Sequence, residues 1–369
     1  MDMKIERYET VIIGGGQAGL AVGYHLAKTG RPFVILEANG RVGDSWRKRW
    51  DSLRLFTPAE LDGLPGAPYP ASNWTFPTKD EMADYLEGYA AKFGLPVRTG
   101  IRVTRLGRNG DRFVIETPET TFEADHVVVA SGADRTPRIP DFALDLDSRI
   151  LQLHSSEYRN PAFLRPGAVL IVGLGNSGAE IALDVAPTHQ TWLSGRYRRM
   201  PVGPSRSPIL NMFVKPLMLH VMTIDTPIGR KMRGKLTGGG GAPVERVSLK
   251  ALSAARVEIV ARVESVRDGR PVLADGGRPD VANVIWCTGF APGLEWIDLP
   301  VLDRRGEARQ IRGVVADTPG LYFVGRPFQY SFTSAAVGGV GRDAGYVAKQ
   351  IAKSVTMRPR EALPEAARA

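Results

Sequence analysis

At 369 residues the chain has room for two or three domains and a large core, so it needs neither disulfides nor a structural metal. Its 43% hydrophobic and 24% charged residues are globular values that exclude a disordered or coiled-coil chain, and it lacks the roughly 18-residue apolar run of a transmembrane helix. The charge of +9 is scattered rather than gathered in a tail, which favours small anions over nucleic acid, and the single Cys287 excludes a disulfide, a CxxC redox pair and a Cys-rich zinc site.

The N-terminus runs from a charged segment straight into a strand. With no signal-peptide pattern there, a cytoplasmic, reducing location is expected. Thr10-Val11-Ile12-Ile13 predicts a buried parallel strand. Gly14-Gly15-Gly16-Gln17-Ala18-Gly19 follows at once. A helix from Leu20 to Lys28, ended by Gly30, and a second strand, Phe33–Leu36, complete a βαβ unit with Glu37 at its tip. In such a unit Gly14 permits the tight turn, Gly16 lets the backbone approach a pyrophosphate, and Gly19 lets helix and strand pack closely. The pyrophosphate sits on the positive helix N-terminus, and the carboxylate accepts from ribose hydroxyls.

Further along, Thr78 with Glu81 predicts a capping box at a helix start. Short strands are expected around Val103, over Phe113–Glu116 and over Val127–Ala130, the last running into Ser131-Gly132. The βαβ pattern then recurs: a strand Ala168–Val172, the turn Gly173-Leu174-Gly175-Asn176-Ser177-Gly178, a helix from Ala179, and a strand Thr191–Ser194. The Met- and Leu-rich segment from Ile209 to Ile224 reads as a core-facing helix, a substrate-pocket lid or a dimer surface. The segment 226–243, with Gly238 to Gly241, reads as a mobile loop. Val284-Ile285-Trp286 predicts a strand ending in Cys287-Thr288-Gly289. Its likeness to the Val127–Gly132 segment marks the two as chain crossings between domains. Finally, a strand Leu321–Gly325 precedes Gly338 to Gly341 and a helix from about Arg342 to Lys353. Such a start would aim free N–H groups and a positive dipole end at an anion, such as the negative N1/C2 edge of a reduced flavin. A plain glycine turn is the alternative.

The two turns differ at one position. Eighteen residues beyond the last motif glycine lies Glu37 in the first unit and Arg196 in the second, with Arg198 and Arg199 nearby. A carboxylate favours a free ribose 2′-hydroxyl and an arginine accommodates a 2′-phosphate. The first site therefore suits FAD or NAD, and the second suits NADPH.

On these residues the chain resembles the flavin-containing monooxygenases, flavoproteins with two dinucleotide-binding domains, and within them the compact bacterial branch of CzcO-like NAD(P)/FAD-dependent oxidoreductases. The resemblance runs from about Tyr8 to Ile351. It rests on both glycine turns, Gly43-Asp44-Ser45-Trp46-Arg47, Ala130-Ser131-Gly132, His154-Ser155-Ser156-Glu157-Tyr158, Cys287-Thr288-Gly289-Phe290 and Gly339-Val340-Gly341-Arg342-Asp343. Two departures stand out. Ser148 and Ile150 replace the F-x-G that opens the family's identifying motif, and Pro58 follows Thr57 where animal-type members carry an asparagine.

The resemblance implies an α/β fold of two Rossmann-like domains, with an FAD-binding domain in two segments, 1–162 and 283–369, and an NADPH-binding domain, 163–282, inserted between them. It implies that NADPH reduces FAD, that O2 adds to the reduced flavin as a C4a-(hydro)peroxide, and that one oxygen atom passes to a small organic substrate by N-, S- or Baeyer–Villiger-type oxygenation. A reductase or oxidase with the same cofactors is the alternative; a non-catalytic nucleotide-binding protein is another. The cofactor-binding set is Gly14, Gly16, Gln17, Ala18, Gly19, Glu37, Trp46, Arg47, Ser131, Gly132, Gly173, Gly175, Asn176, Ser177, Gly178, Ser194, Arg196, Gly325 and Gly341. No metal site and no single catalytic side chain is assigned, because the chemistry belongs to the cofactors. His154 is a base or a hydrogen-bonded structural residue. A homodimer stays open.

Overall fold

A computed structural model describes residues 4–356, apart from 73, 134–135, 199–216, 218–220 and 238–242. The first half runs β1 (Lys4–Ile13), α1 (Gln17–Lys28), β2 (Phe33–Leu36), α2 (Asp44–Arg47), α3 (Lys79–Lys92), β3 (Val97–Arg98), β4 (Arg105–Asn109), β5 (Arg112–Glu116), β6 (Thr120–Val129), β7 (Thr136–Pro137) and β8 (Leu151–His154). The second continues with β9 (Val169–Val172), α4 (Asn176–Val185), β10 (Thr191–Ser194), α5 (Pro227–Thr237), α6 (Leu249–Ala254), β11 (Glu258–Val260), β12 (Val263–Arg267), β13 (Arg270–Leu273), β14 (Asn283–Trp286), β15 (Phe290–Ala291), β16 (Leu321–Phe323) and α7 (Val337–Thr356).

Two sheets organise the molecule. The first is ordered β3-β2-β1-β6-β5-β4, with β16 beside β6. The second is ordered β11-β10-β9-β14-β8 and is parallel throughout. Strands β2, β9 and β14 are buried along their whole length, as parallel strands covered on both faces must be. That is why their sequences are unbroken apolar runs. Helix α3 starts on the expected capping box, with the Thr78 side chain accepting from the Glu81 amide. One apolar cluster joins the two sheets, running from Ile12, Leu20 and Tyr89 through Tyr158 to Ile171, Ile181 and Leu193.

Two strands at the edges of the expected inserted domain pair within its sheet. Strand β8 lies before residue 163 and β14 begins at 283, yet both pair in the second sheet, β14 between β8 and β9. The chain therefore leaves the first sheet after β6 and returns after β14. At both crossings the turn glycine has a positive φ, 76° at Gly132 and 79° at Gly289. Just beyond, β7 and β15 pair antiparallel, as two strands connecting two units in opposite directions should.

Two other expectations change. The segment 226–243 is not wholly a loop, because Pro227–Thr237 is helical. Helix α7 begins at Val337, so Gly338 to Gly341 lie within its first turns rather than before it. Of the segment from Ile209 to Ile224, the described residues are Leu217 and Val221–Ile224; buried Met222 packs with Leu217, Met232 and Phe332. Among the described residues no helix is long and apolar enough to cross a membrane.

Candidate cofactor sites

The two glycine turns are built alike. Gly14 has φ 113° and Gly173 φ 114°, a conformation that disfavours any side chain. A Cβ on Gly14 would stand 2.5 Å from the Ala130 carbonyl oxygen, and one on Gly173 would stand 2.3 Å from that of Cys287. Each turn is thus closed by the residue that ends a crossing strand, which explains why the Ala130-Ser131-Gly132 and Cys287-Thr288-Gly289 segments look alike. A Cβ on Gly19 would lie 1.9 Å from the Gly14 oxygen, and one on Gly178 1.9 Å from the Gly173 oxygen. Gly16 and Gly175 are the extended N-caps of α1 and α4 and have no capping side chain. The first amides of both helices are left to an anion.

The first turn fits a dinucleotide. Nothing lies within 4 Å of a Cβ built on Gly16, so the cradle in front of α1 is open. Glu37 Oε2 accepts from the Gly15 amide at 2.7 Å, which brings its carboxylate over the turn. Gly325, with φ 85°, comes within 2.8 Å of Ala18 Cβ when a Cβ is built on it. Ser131 lies against Gly14, and its Oγ is buried with no protein partner. Gly14, Gly16, Gln17, Ala18, Gly19, Glu37, Ser131, Gly132 and Gly325 therefore gather around the start of α1. The pattern reading missed Arg326, which is buried and joins this group by donating to the Gly132 carbonyl at 3.1 Å and to Glu307 at 2.6 Å. Its place directly after Gly325 was the available signal.

The second turn gathers Gly173, Gly175, Asn176, Ser177 and Gly178 in the same way. Asn176 Oδ1 accepts from the Glu245 amide at 2.9 Å, which ties α4 to the segment after α5. Burial pushes the Glu245 carboxyl up to about 7. Arg196 is exposed just past β10 and has no hydrogen bond to a described residue. Arg199 lies outside the described residues.

Three of the expected cofactor residues also make contacts within the protein. Ser194 is buried, its Oγ donating to the Ala261 carbonyl at 2.9 Å and accepting from the Val263 amide at 3.1 Å, so it closes the β10–β12 corner. Arg47 donates to the Val42 carbonyl, Asp84 and Glu87, a set that clamps α2 onto α3 and occupies its charge; Trp46 beside it packs on the core. A Cβ on Gly341 would meet the Pro65 ring at 2.6 Å, so this glycine serves packing of α7 on the 63–69 loop. The exposed glycine of that helix start is Gly338.

His154 is fully buried. Its Nε2 lies 3.1 Å from the Gly289 carbonyl, which can only accept, so Nε2 carries the proton and Nδ1 accepts from Ser156 Oγ at 2.9 Å. Nε2 holds β8 to the crossing and Nδ1 holds the turn that follows β8, contacts of a structural kind. Burial pushes the Cys287 thiol up to about 12, leaving it protonated and unreactive.

Residues 11–205 match the family model described as pyridine nucleotide-disulphide oxidoreductase. An oxidoreductase called CzcO-like from Geobacillus kaustophilus is 39% identical over 93% of this chain and 98% of its own length. The chain belongs to the flavin-containing monooxygenase family, in its CzcO-like branch. The rice indole-3-pyruvate monooxygenase YUCCA4 is 34% identical over 50% of this chain. The flavin-containing monooxygenase from Stenotrophomonas maltophilia superposes with a TM-score of 0.75 at 28% identity, over 95% of this chain and 99% of its own. This member is thus an oxidoreductase, a flavin-dependent monooxygenase whose cofactors are FAD and NADPH, on an α/β fold with two dinucleotide-binding units. Its single cysteine, Cys287, is free and partly exposed.

Proposed function

We propose that the protein is a cytoplasmic, NADPH-consuming monooxygenase that inserts one atom of O2 into a small organic substrate by way of a flavin C4a-(hydro)peroxide. The observation that carries this reading is the pair of matched turns with opposite charge beyond them. Glu37 stands over the first turn and Arg196 is exposed past the second. The first turn would hold the FAD pyrophosphate on the amides of α1, with Glu37 at the ribose and Gly325 and Ser131 walling the cradle. The second would hold NADPH on α4, with Asn176 and Ser177 at the phosphates and Arg196 at the 2′-phosphate.

The chain's own work is to bind, orient and exclude water. FAD when bound supplies the redox chemistry, taking hydride from NADPH and reacting with O2. The amides of Val337 and Gly338 at the start of α7 would face the negative edge of the reduced flavin. Phe332, Met222 and Met232 form an apolar wall next to that start, suited to a small apolar or amphipathic substrate.

The test is to mix the reduced, NADP+-bound holoprotein with oxygenated buffer and follow its absorption spectrum. A transient adduct spectrum that decays faster with substrate is the expected result. Direct return to oxidised flavin would mean an oxidase and overturn the reading.

A further inference from the structure

We propose that Asp62 takes up a proton when reduction brings negative charge to the flavin at the start of α7, so that this carboxyl couples the flavin potential to pH. The inference rests on the flavin placement proposed above.

Asp62 follows the short helix Ala59–Leu61 and is fully buried. Its Oδ1 accepts from the Thr57 hydroxyl at 2.5 Å, and its Oδ2 is buried with no partner. A buried carboxylate with an oxygen unpaired is costly, so the neutral acid is favoured. Burial pushes this carboxyl up to about 7, against the opposing pull of Thr57. It therefore stands at the midpoint of its titration near neutral pH, where a small change in local charge moves it furthest.

The location supplies that change. A Cβ on Gly338 would overlap the Leu61 carbonyl oxygen and stand 3.6 Å from the Asp62 amide nitrogen. Asp62 thus abuts the first turn of α7, and Gly338 in that turn is exposed. A negative charge arriving there repels the ionised carboxylate and draws a proton onto it. Partly exposed Thr57, hydrogen-bonded to Oδ1, is the group through which solvent would reach the carboxyl. The balance is simple: two electrons and one proton go to the flavin, and one further proton goes to the Asp62 carboxylate.

Of the groups around it, the tyrosines stay neutral near neutral pH, while Asp343 titrates close to Asp62 and is told apart from it by the Asp62→Asn variant. Tyr69, from the 63–69 loop, is pushed up to about 12, and Tyr85 of α3 is also raised. Glu81 and Asp84 of α3 act on Tyr69. On α7, Arg342 donates to Ser331 and stacks on Tyr330, and burial pushes Asp343 up to about 6.

The test is the midpoint potential of the FAD holoprotein, measured by spectroelectrochemistry from about pH 7 to about pH 9, a range spanning the perturbed carboxyl. Wild type should take up about 1.5 protons per two electrons at the lower end, because the carboxyl is about half ionised there, and one at the upper end. Asp62→Asn should take up one at both ends. Thr57→Val, losing the hydrogen bond that favours the ionised form, should move the steep region to higher pH. A protein that binds no FAD overturns the cofactor reading. A protein that binds FAD but shows the wild-type slope in Asp62→Asn, or an unmoved steep region in Thr57→Val, overturns this inference alone.

Discussion

Glu37 and Gly15 are joined by a 2.7 Å hydrogen bond from the glycine amide to Oε2, while Oε1 accepts from the amide and side chain of Asn39. The carboxylate that the βαβ pattern assigns to a ribose is therefore already held over the turn before any ligand arrives. Preorganisation of this kind lowers the cost of binding.

Glu37→Ala removes both the ribose acceptor and the clamp on the turn. A charge-assisted hydrogen bond is worth about 1.5–3 kcal/mol, so FAD should bind roughly 10- to 150-fold more weakly. The check is FAD retained through gel filtration. Full retention with no exchange would remove Glu37 from the site.

Arg196→Ala should lower NADPH affinity by about 10- to 150-fold and leave NADH nearly unchanged. Its exposure and lack of a described partner leave the guanidinium available for a phosphate. Arg198, also exposed, could share the charge and bring the loss toward the lower figure. Flavin reduction rates with each nucleotide decide it: equal losses would mean that Arg196 serves the fold.

The third glycines allow a paired comparison. In both Gly19→Ala and Gly178→Ala the new Cβ would stand 1.9 Å from a carbonyl oxygen of the turn, forcing helix and strand apart. Overpacking of this kind costs about 1–3 kcal/mol. Gly19→Ala should lose FAD. Gly178→Ala should keep FAD, yet need roughly 5- to 140-fold more NADPH for half-maximal reduction. Loss of FAD from both variants alike would argue against a division of the cofactors between the turns.

Stability should fall as pH rises toward neutrality. Burial pushes Asp62 to about 7, Glu245 to about 7 and Asp343 to about 6, all above their unfolded values. Each contributes stability that is full below the ordinary carboxylate range and lost as pH rises through its folded value. The apoprotein Tm should therefore drop between about pH 4 and about pH 7 and level off above that, and Asp62→Asn should make the drop shallower. An identical drop in the variant would show that Asp62 ionises without cost.

Both glycine turns, the strands and helices around them, and the residues 18 positions beyond were legible in the amino-acid sequence. They are local: the backbone conformation of a turn and the start of a helix depend on residues a few positions apart. The capping box at Thr78 belongs to the same class. What depended on residues far apart in the chain was decided only by tertiary packing. Whether β8 and β14 join the first or second sheet turns on which edges are free, and no run of residues states that. Gly341 and Ser194 look like their neighbours in sequence, but one meets Pro65 and the other the Ala261 carbonyl. Arg47 is paired with two carboxylates 37 and 40 residues away, which its neighbours in sequence do not announce. Asp62 sits in an unremarkable loop sequence; only the approach of Thr57 and the first turn of α7 buries its carboxyl and leaves Oδ2 without a partner.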